Sequence, residues 1–217
     1  MFPYPIAKPQ GCDIQTFYGG ISTLQSFTWN KPIAASHVYM MLIGGGGAGD
    51  GSSGGASGVV TVWYGAAQNV PNSLVITPAS AVNGTATTVN YRGSSLVILL
   101  SARTANGASE PSANAITPFG ASGFYKSTDG QIGEVSANPA PSLKTFLSAG
   151  AGAGGTLTAN YGYTISQDAQ NDTNGYFLLQ PIIVGIGGIN AGKGGVGCGG
   201  SASSGTGSNG MVLIASW

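Results

Sequence analysis

The sequence predicts an all-β protein: an antiparallel sandwich, jelly-roll-like, with glycine-rich extended or polyglycine-II-type segments packed on it. Three observations lead there. Short apolar runs rich in Val, Ile, Thr, Tyr and Trp recur along the chain, each closed by Gly, Pro or Asn, which is the punctuation of antiparallel strands. Glycine supplies 38 of 217 residues, well above the usual ~7%. Charged residues make up only 6%, against about 25% in an ordinary domain.

The elements follow in order. Residues 1–20 read as an extended N-terminal arm, in which Pro3, Pro5 and Pro9 fix φ and remove N–H donors, favouring polyproline-like geometry. Phe2, Tyr4, Pro5, Ile6, Phe17 and Tyr18 give this arm apolar surface to bury. It can pack on a neighbouring subunit or fold back on its own domain. Residues 21–217 read as one glycine-rich β domain with a polar insertion around 103–180. Strand candidates are ISTLQSFTW (21–29), HVYMMLI (37–43), VVTVWY (59–64), NSLVITPA (72–79), TATTVNY (85–91), SLVILLSA (95–102), YFLLQPIIVGI (176–186) and the closing MVLIASW. One short helix is expected around 141–149, with Ser142 as its cap and Gly150 as its stop.

Two glycine tracts run from Gly44 to Gly58 and from Gly185 to Gly210. Small residues recur at every third position: Gly46, Gly49, Ser52, Gly55, Gly58 in the first, and Gly185, Gly188, Ala191, Gly194, Gly197, Gly200, Ser203 in the second. Period three belongs to polyproline-II-type helices. Ordering glycine costs the most backbone entropy, so such segments need lateral N–H···O=C partners to offset it.

Composition also restricts partners. Seven acidic and seven basic residues cannot clothe an ordinary surface, and the net charge is zero, which favours association. The basic residues do not cluster, which argues against nucleic acid. No apolar window approaches about eighteen residues, so no membrane span is expected. The start MFPYPIAKPQGCD lacks the basic and then apolar pattern of a secretory signal. Cys12 and Cys198 are expected as two thiols, since no CxxC occurs and the chain has one histidine.

The chemical motifs are decoys. Gly44, Gly46 and Gly49 match GxGxxG, but the following DGSSGGASG cannot be a stable helix, and no acid occurs from Gly58 to Tyr91. GGINAGKG (187–194) matches GxxxxGK but places Gly194 where Ser or Thr would hold magnesium. His37 opens an apolar strand and reads as a strand-edge or satisfied core residue rather than a catalytic one. Asp168 and Asp172 share a turn without the alternating ligand order of a calcium loop. No catalytic residue, cofactor or metal ligand is nominated.

The series FTWNKP, VYMMLIGGGGAGD, GGASGVVTVWYGAAQ, NSLVITPA and GGVGCGGSASSGTGSNGMVLIASW resembles the glycine-rich domain of bacteriophage tail-fibre and other virion surface proteins. The likeness covers 26–79 and 185–217; the order of segments and the closing VLIASW carry it. It implies a non-enzymatic virion surface component: a fibre tip, adhesin or capsid decoration protein. Its partners would be copies of itself, other virion proteins, and a host-cell glycan or surface protein. Tyr125, Tyr161 and Tyr163 are the candidate rings for stacking on sugars; the alternative is that they fill the core. The alternative is a self-assembling extracellular filament or coat subunit, in which the arm adds a strand to the next subunit's sheet.

Overall fold

The computed structural model of the chain describes residues 13–20, 23–80, 84–92, 96–109, 111–112, 123–130, 195–202 and 205–217. These form nine strands: β1 (Asp13–Tyr18), β2 (Phe27–Asn30), β3 (His37–Ile43), β4 (Val60–Ala66), β5 (Ser73–Thr77), β6 (Thr87–Arg92), β7 (Leu96–Ala102), β8 (Gly123–Thr128) and β9 (Met211–Ser216). A single 3-10 turn, Ala67–Asn69, follows β4. A five-stranded sheet runs β1-β9-β3-β4-β8 and a four-stranded sheet runs β2-β5-β6-β7. Every strand pair is antiparallel. The first and last strands are neighbours, so β1 and β9 join the two ends of the described chain.

The sandwich core follows from period-two alternation. Val38, Met40 and Leu42 of β3, Trp63 of β4 and Val212 and Ile214 of β9 point inward. They meet Trp29, Leu74, Ile76, Val89 and Leu100 from the other sheet. The outward side of β3, β4 and β9 is apolar as well: Tyr39, Met41, Ile43, Val60, Val62, Met211 and Leu213 form a second buried cluster, to which Val196 and Cys198 add. Burial pushes the Tyr39 phenol far above its ordinary range. This two-sided burial explains why HVYMMLI and MVLIAS read as unbroken apolar runs. Cys198 is a buried thiol whose Sγ donates to the Val196 carbonyl at 3.7 Å; Cys12 lies outside the described residues.

Two threonines bolt the sheets together. Thr87 Oγ1 donates to the Ile43 carbonyl at 2.7 Å and accepts from the Ala79 N–H at 2.9 Å. Thr61 Oγ1 donates to the Ser101 carbonyl, also at 2.9 Å. Both hydroxyls are in fully buried side chains with backbone partners, as buried polar groups require.

Beyond Ile43 and Val60 the β3–β4 ladder does not end. Gly44 N–H donates to Val59, Gly47 to Ala56 and Asp50 to Ser53. The register of the ladder is kept, but the step between bonds changes from two residues to three. The β3–β9 register continues in the same manner, with Gly46 N–H donating to Ser208 and Gly49 to Gly205. Residues 44–51 also bond to 195–202 through Gly200 N–H to Gly47 and Gly51 N–H to Ala202, and to 103–107 through Ala105 N–H to Gly45. A strand in a sheet has two neighbours; this segment has four. Lateral bonding at step three around a central segment is the packing expected of polyglycine-II-type helices. The close approach explains the small residues. A Cβ on Gly46 would overlap the Cys198 carbonyl, and one on Gly49 the Ser201 carbonyl.

Three expectations are refined. Of the two readings of the 1–20 arm, Asp13–Tyr18 follows the one that folds back on its own domain: it is strand β1, paired along its length with β9. The prolines stop at Pro9, and DIQTFY alternates with β-branched and aromatic residues. The stretch from 103, expected as an inserted excursion, supplies strand β8 on the five-stranded sheet and residues 103–107 of the glycine block. The strand expected over 21–29 begins only at Phe27. The helix at 141–149, the apolar stretch 176–186, GGINAGKG and the Asp168–Asp172 turn lie outside the described residues.

Candidate functional site

The two ends of the sandwich differ. At one end the strands run into the glycine block. At the other, β4 enters the 3-10 turn, β5 begins and β6 ends. The GxGxxG loop belongs to the first end, and its N–H groups are already spent. Those of Gly44, Gly46, Gly47 and Gly49 donate to backbone carbonyls, and that of Gly45 donates to Thr104 Oγ1. A pyrophosphate would need these same donors, so this loop is not a phosphate cradle. Among the described residues no group of three or more His, Cys, Asp or Glu could hold a metal ion. Among them, too, no helix is long and apolar enough to cross a membrane.

At the opposite end, on the outward face of the five-stranded sheet, three rings gather. His37 and Tyr64 stack with centroids 5.7 Å apart, Tyr64 and Trp217 at 5.8 Å, and His37 and Trp217 at 6.1 Å. The Trp217 main-chain oxygen accepts from the Ser36 N–H at 2.7 Å, the Ser36 hydroxyl at 2.9 Å and the His37 N–H at 3.0 Å. His37 is therefore a strand-edge residue held in a ring stack, as its position before an apolar run suggests.

The same end carries a cleft of about 630 Å³, open broadly to solvent. It lies between the turn after β4 and the end of β6. Lys31, Gln68, Asn69, Asn72 and Tyr91 are among the residues that line it. Tyr91 faces Leu74 and Val97 in its ladder, on the inward side of the sheet. It is level with the core residues Leu74 and Trp29, yet it is 43% exposed. Lys31 Nζ donates to the Ala67 carbonyl at 2.9 Å and the Val70 carbonyl at 2.7 Å, pinning the turn.

The third surface is the β1 edge of the five-stranded sheet, which has no further strand beside it among the described residues. On β1 the outward residues include Ile14 and Tyr18, 51% and 55% exposed. Phe17 points the other way, partly buried against the core, with its ring 5.5 Å from that of Phe27. Of the residues expected to form an assembly arm, Tyr18 is thus presented to solvent, whereas Phe17 is used by the protein's own core. Phe2, Tyr4, Pro5 and Ile6 lie outside the described residues.

Of the two readings of Tyr125, sugar platform or core filler, its placement matches the second. It sits on the inward side of β8, opposite Trp63, and packs against the core. Burial raises its phenol, partly countered by a hydrogen bond with Ser127. Tyr161 and Tyr163 lie outside the described residues. The sequence reading missed Tyr91 and the amides of the 68–72 turn. Their only signal is the turn chemistry of QNVPNS before a strand.

Comparisons with models of known families, with curated proteins and with solved structures each find no match to this chain.

Proposed function

We propose that the chain is a non-enzymatic structural subunit of a virion surface, a tail-fibre tip, adhesin or capsid decoration. In this reading it assembles through its β-rich body and its N-terminal arm. The observation that carries the reading is edge strand β1. It leaves one side of its backbone unpaired among the described residues and presents Ile14 and Tyr18 to solvent. An open edge with apolar side chains is a surface on which another chain adds a strand or packs an arm. The near absence of charge supports the same role, since a dispersed monomer needs charge on its surface. The order of strands and glycine tracts supports the phage assignment through its resemblance to virion glycine-rich domains.

The open edge also favours the alternative, a filament or coat subunit polymerising on its own. Immunogold electron microscopy of particles and of purified protein separates the two. The expected result is label on particles, with a variant lacking residues 1–12 folded but not incorporated. Deletion at residue 12 spares β1, so the body keeps its edge strand. Unaided filaments that vanish on the same deletion establish the alternative. A chain found on neither object overturns both.

A further inference from the structure

We propose that the cleft between Lys31 and Tyr91 binds a neutral or N-acetylated sugar residue of a polysaccharide. The proposal deepens the surface role given above and rests on it for the ligand's setting, while its chemistry comes from the cleft alone.

The volume of about 630 Å³ is in the range of small-ligand sites. The lining residues then narrow the class of ligand. No acidic side chain lines the cleft, so a cation finds no opposite charge there and meets the Lys31 ammonium instead. The one cation, Lys31, gives two of its three N–H donors to the carbonyls of Ala67 and Val70. What remains is too little for a phosphate or carboxylate, which bind where charged donors converge. The lining instead offers the amides of Gln68 and Asn72, each with donor and acceptor groups that suit hydroxyl and acetamido substituents. Tyr91 adds a flat ring, and Val97, 45% exposed, extends the apolar surface beside it. An aromatic ring and side-chain amides lining one cleft suit a pyranose, which has one C–H face and an edge of hydroxyls.

The site is also held in shape before any ligand arrives. Lys31 N–H donates to Asn72 at 2.9 Å, and Val70 N–H donates to Ala67 at 3.1 Å. With the two Lys31 Nζ bonds, these fix the 67–72 turn, so little ordering is left for binding to bear.

The test is titration of the full chain with maltotriose, chitotriose and sialyl-lactose, followed by heteronuclear NMR shifts and calorimetry. Binding of at least one of the two neutral probes is expected, with shifts at Tyr91 and Asn72. Tyr91→Ala should weaken it about tenfold, while Tyr91→Phe, which keeps the ring, should stay within about twofold. Asn72→Ala should weaken binding without changing the melting temperature, and it carries the test if Tyr91→Ala proves unstable. Absence of neutral-sugar binding, preference for the charged probe, or unchanged affinity in both alanine variants overturns the proposal. Particle incorporation of the same variants is read in parallel. Normal incorporation without sugar binding removes the cleft's role and leaves the surface role standing, whereas failed incorporation of the parent chain removes the surface role itself.

Discussion

β3 and β4 are held together under two different rules. From His37 to Ile43 they form a ladder at step two, filled on both sides by Trp, Met, Leu and Val side chains. From Gly44 to Asp50 the same two limbs stay in register but bond at step three, and the neighbours touch backbone to backbone. The first region excludes water with side chains, and its stability scales with buried apolar area. The second has little side chain to bury. It is held by a dense lateral hydrogen-bond network, whose net worth per bond is small, about 1 kcal/mol, but whose unsatisfied groups are costly. Side-chain volume is therefore the tolerance that matters in the sandwich, and backbone clearance is the one that matters in the glycine block.

Substitutions sharpen this contrast, and the largest effect belongs to the sandwich. Trp63→Ala removes a fully buried indole from the inter-sheet core and should cost about 4 kcal/mol, read by chemical denaturation. Because β4 continues into the glycine block, amide exchange should accelerate in both regions together. If the block kept its protection, the two regions would be separate folding units.

Gly46→Ala comes next. The added methyl would occupy the space of the Cys198 carbonyl, and moving backbone should cost about 3 kcal/mol. Exchange should quicken first at Gly46, Ser208 and Gly200, while β5 and β6 amides hold. Equal loss in β5 and β6 would show that the block has no autonomy.

Thr87→Val acts at the seam. It leaves the Ala79 N–H and the Ile43 carbonyl without their hydroxyl partner, at a cost of about 2 kcal/mol. Thr87→Ser should recover most of this in the same denaturation assay.

The smallest effect is at the tip of the glycine hairpin. Hydrogen bonds from the Ser53 N–H (2.7 Å) and from the Ser52 N–H and hydroxyl (both 3.0 Å) hold the exposed Asp50 carboxyl below its ordinary range. Its folded pKa is depressed, so its support for the turn is present above about pH 4, where an unfolded aspartate is charged. That support is lost as pH falls through the lower folded value. NMR of the Ser53 amide on acidification should show this loss, and Asp50→Asn should abolish the pH dependence without unfolding the protein.

Legibility in the sequence followed the same division. β3 was readable to the residue because HVYMMLI is apolar on both faces, and β4 to β7 and β9 were found from β-branched runs closed by turn residues. β1 and β8 were not, because each is a sheet edge with only one face to bury, so DIQTFY and GFYKST carry a weak apolar signal. The small residues at Gly46, Gly49, Gly55 and Gly58 signalled step three, but the matching registers with Val59 and Ser208 depend on three segments meeting. The cleft was illegible for a related reason. Lys31 and Asn72 come from separate connections and Tyr91 from strand β6, and only the register of β2, β5 and β6 brings them together. The direction of Tyr125 is not legible in the sequence, because whether a ring points outward or inward depends on pairing, here with Trp63, rather than on composition.

The register that passes unbroken from β3, β4 and β9 into the glycine segments makes the block a ruler. Inserting one triplet in each limb would lengthen it by about 9 Å, at ~3.1 Å per residue, while every sandwich contact stayed where it is. A shift by one or two residues would instead turn small positions away from the carbonyls they must clear. Reach beyond the sandwich is thus adjustable only in whole turns, independently of whatever the opposite end holds.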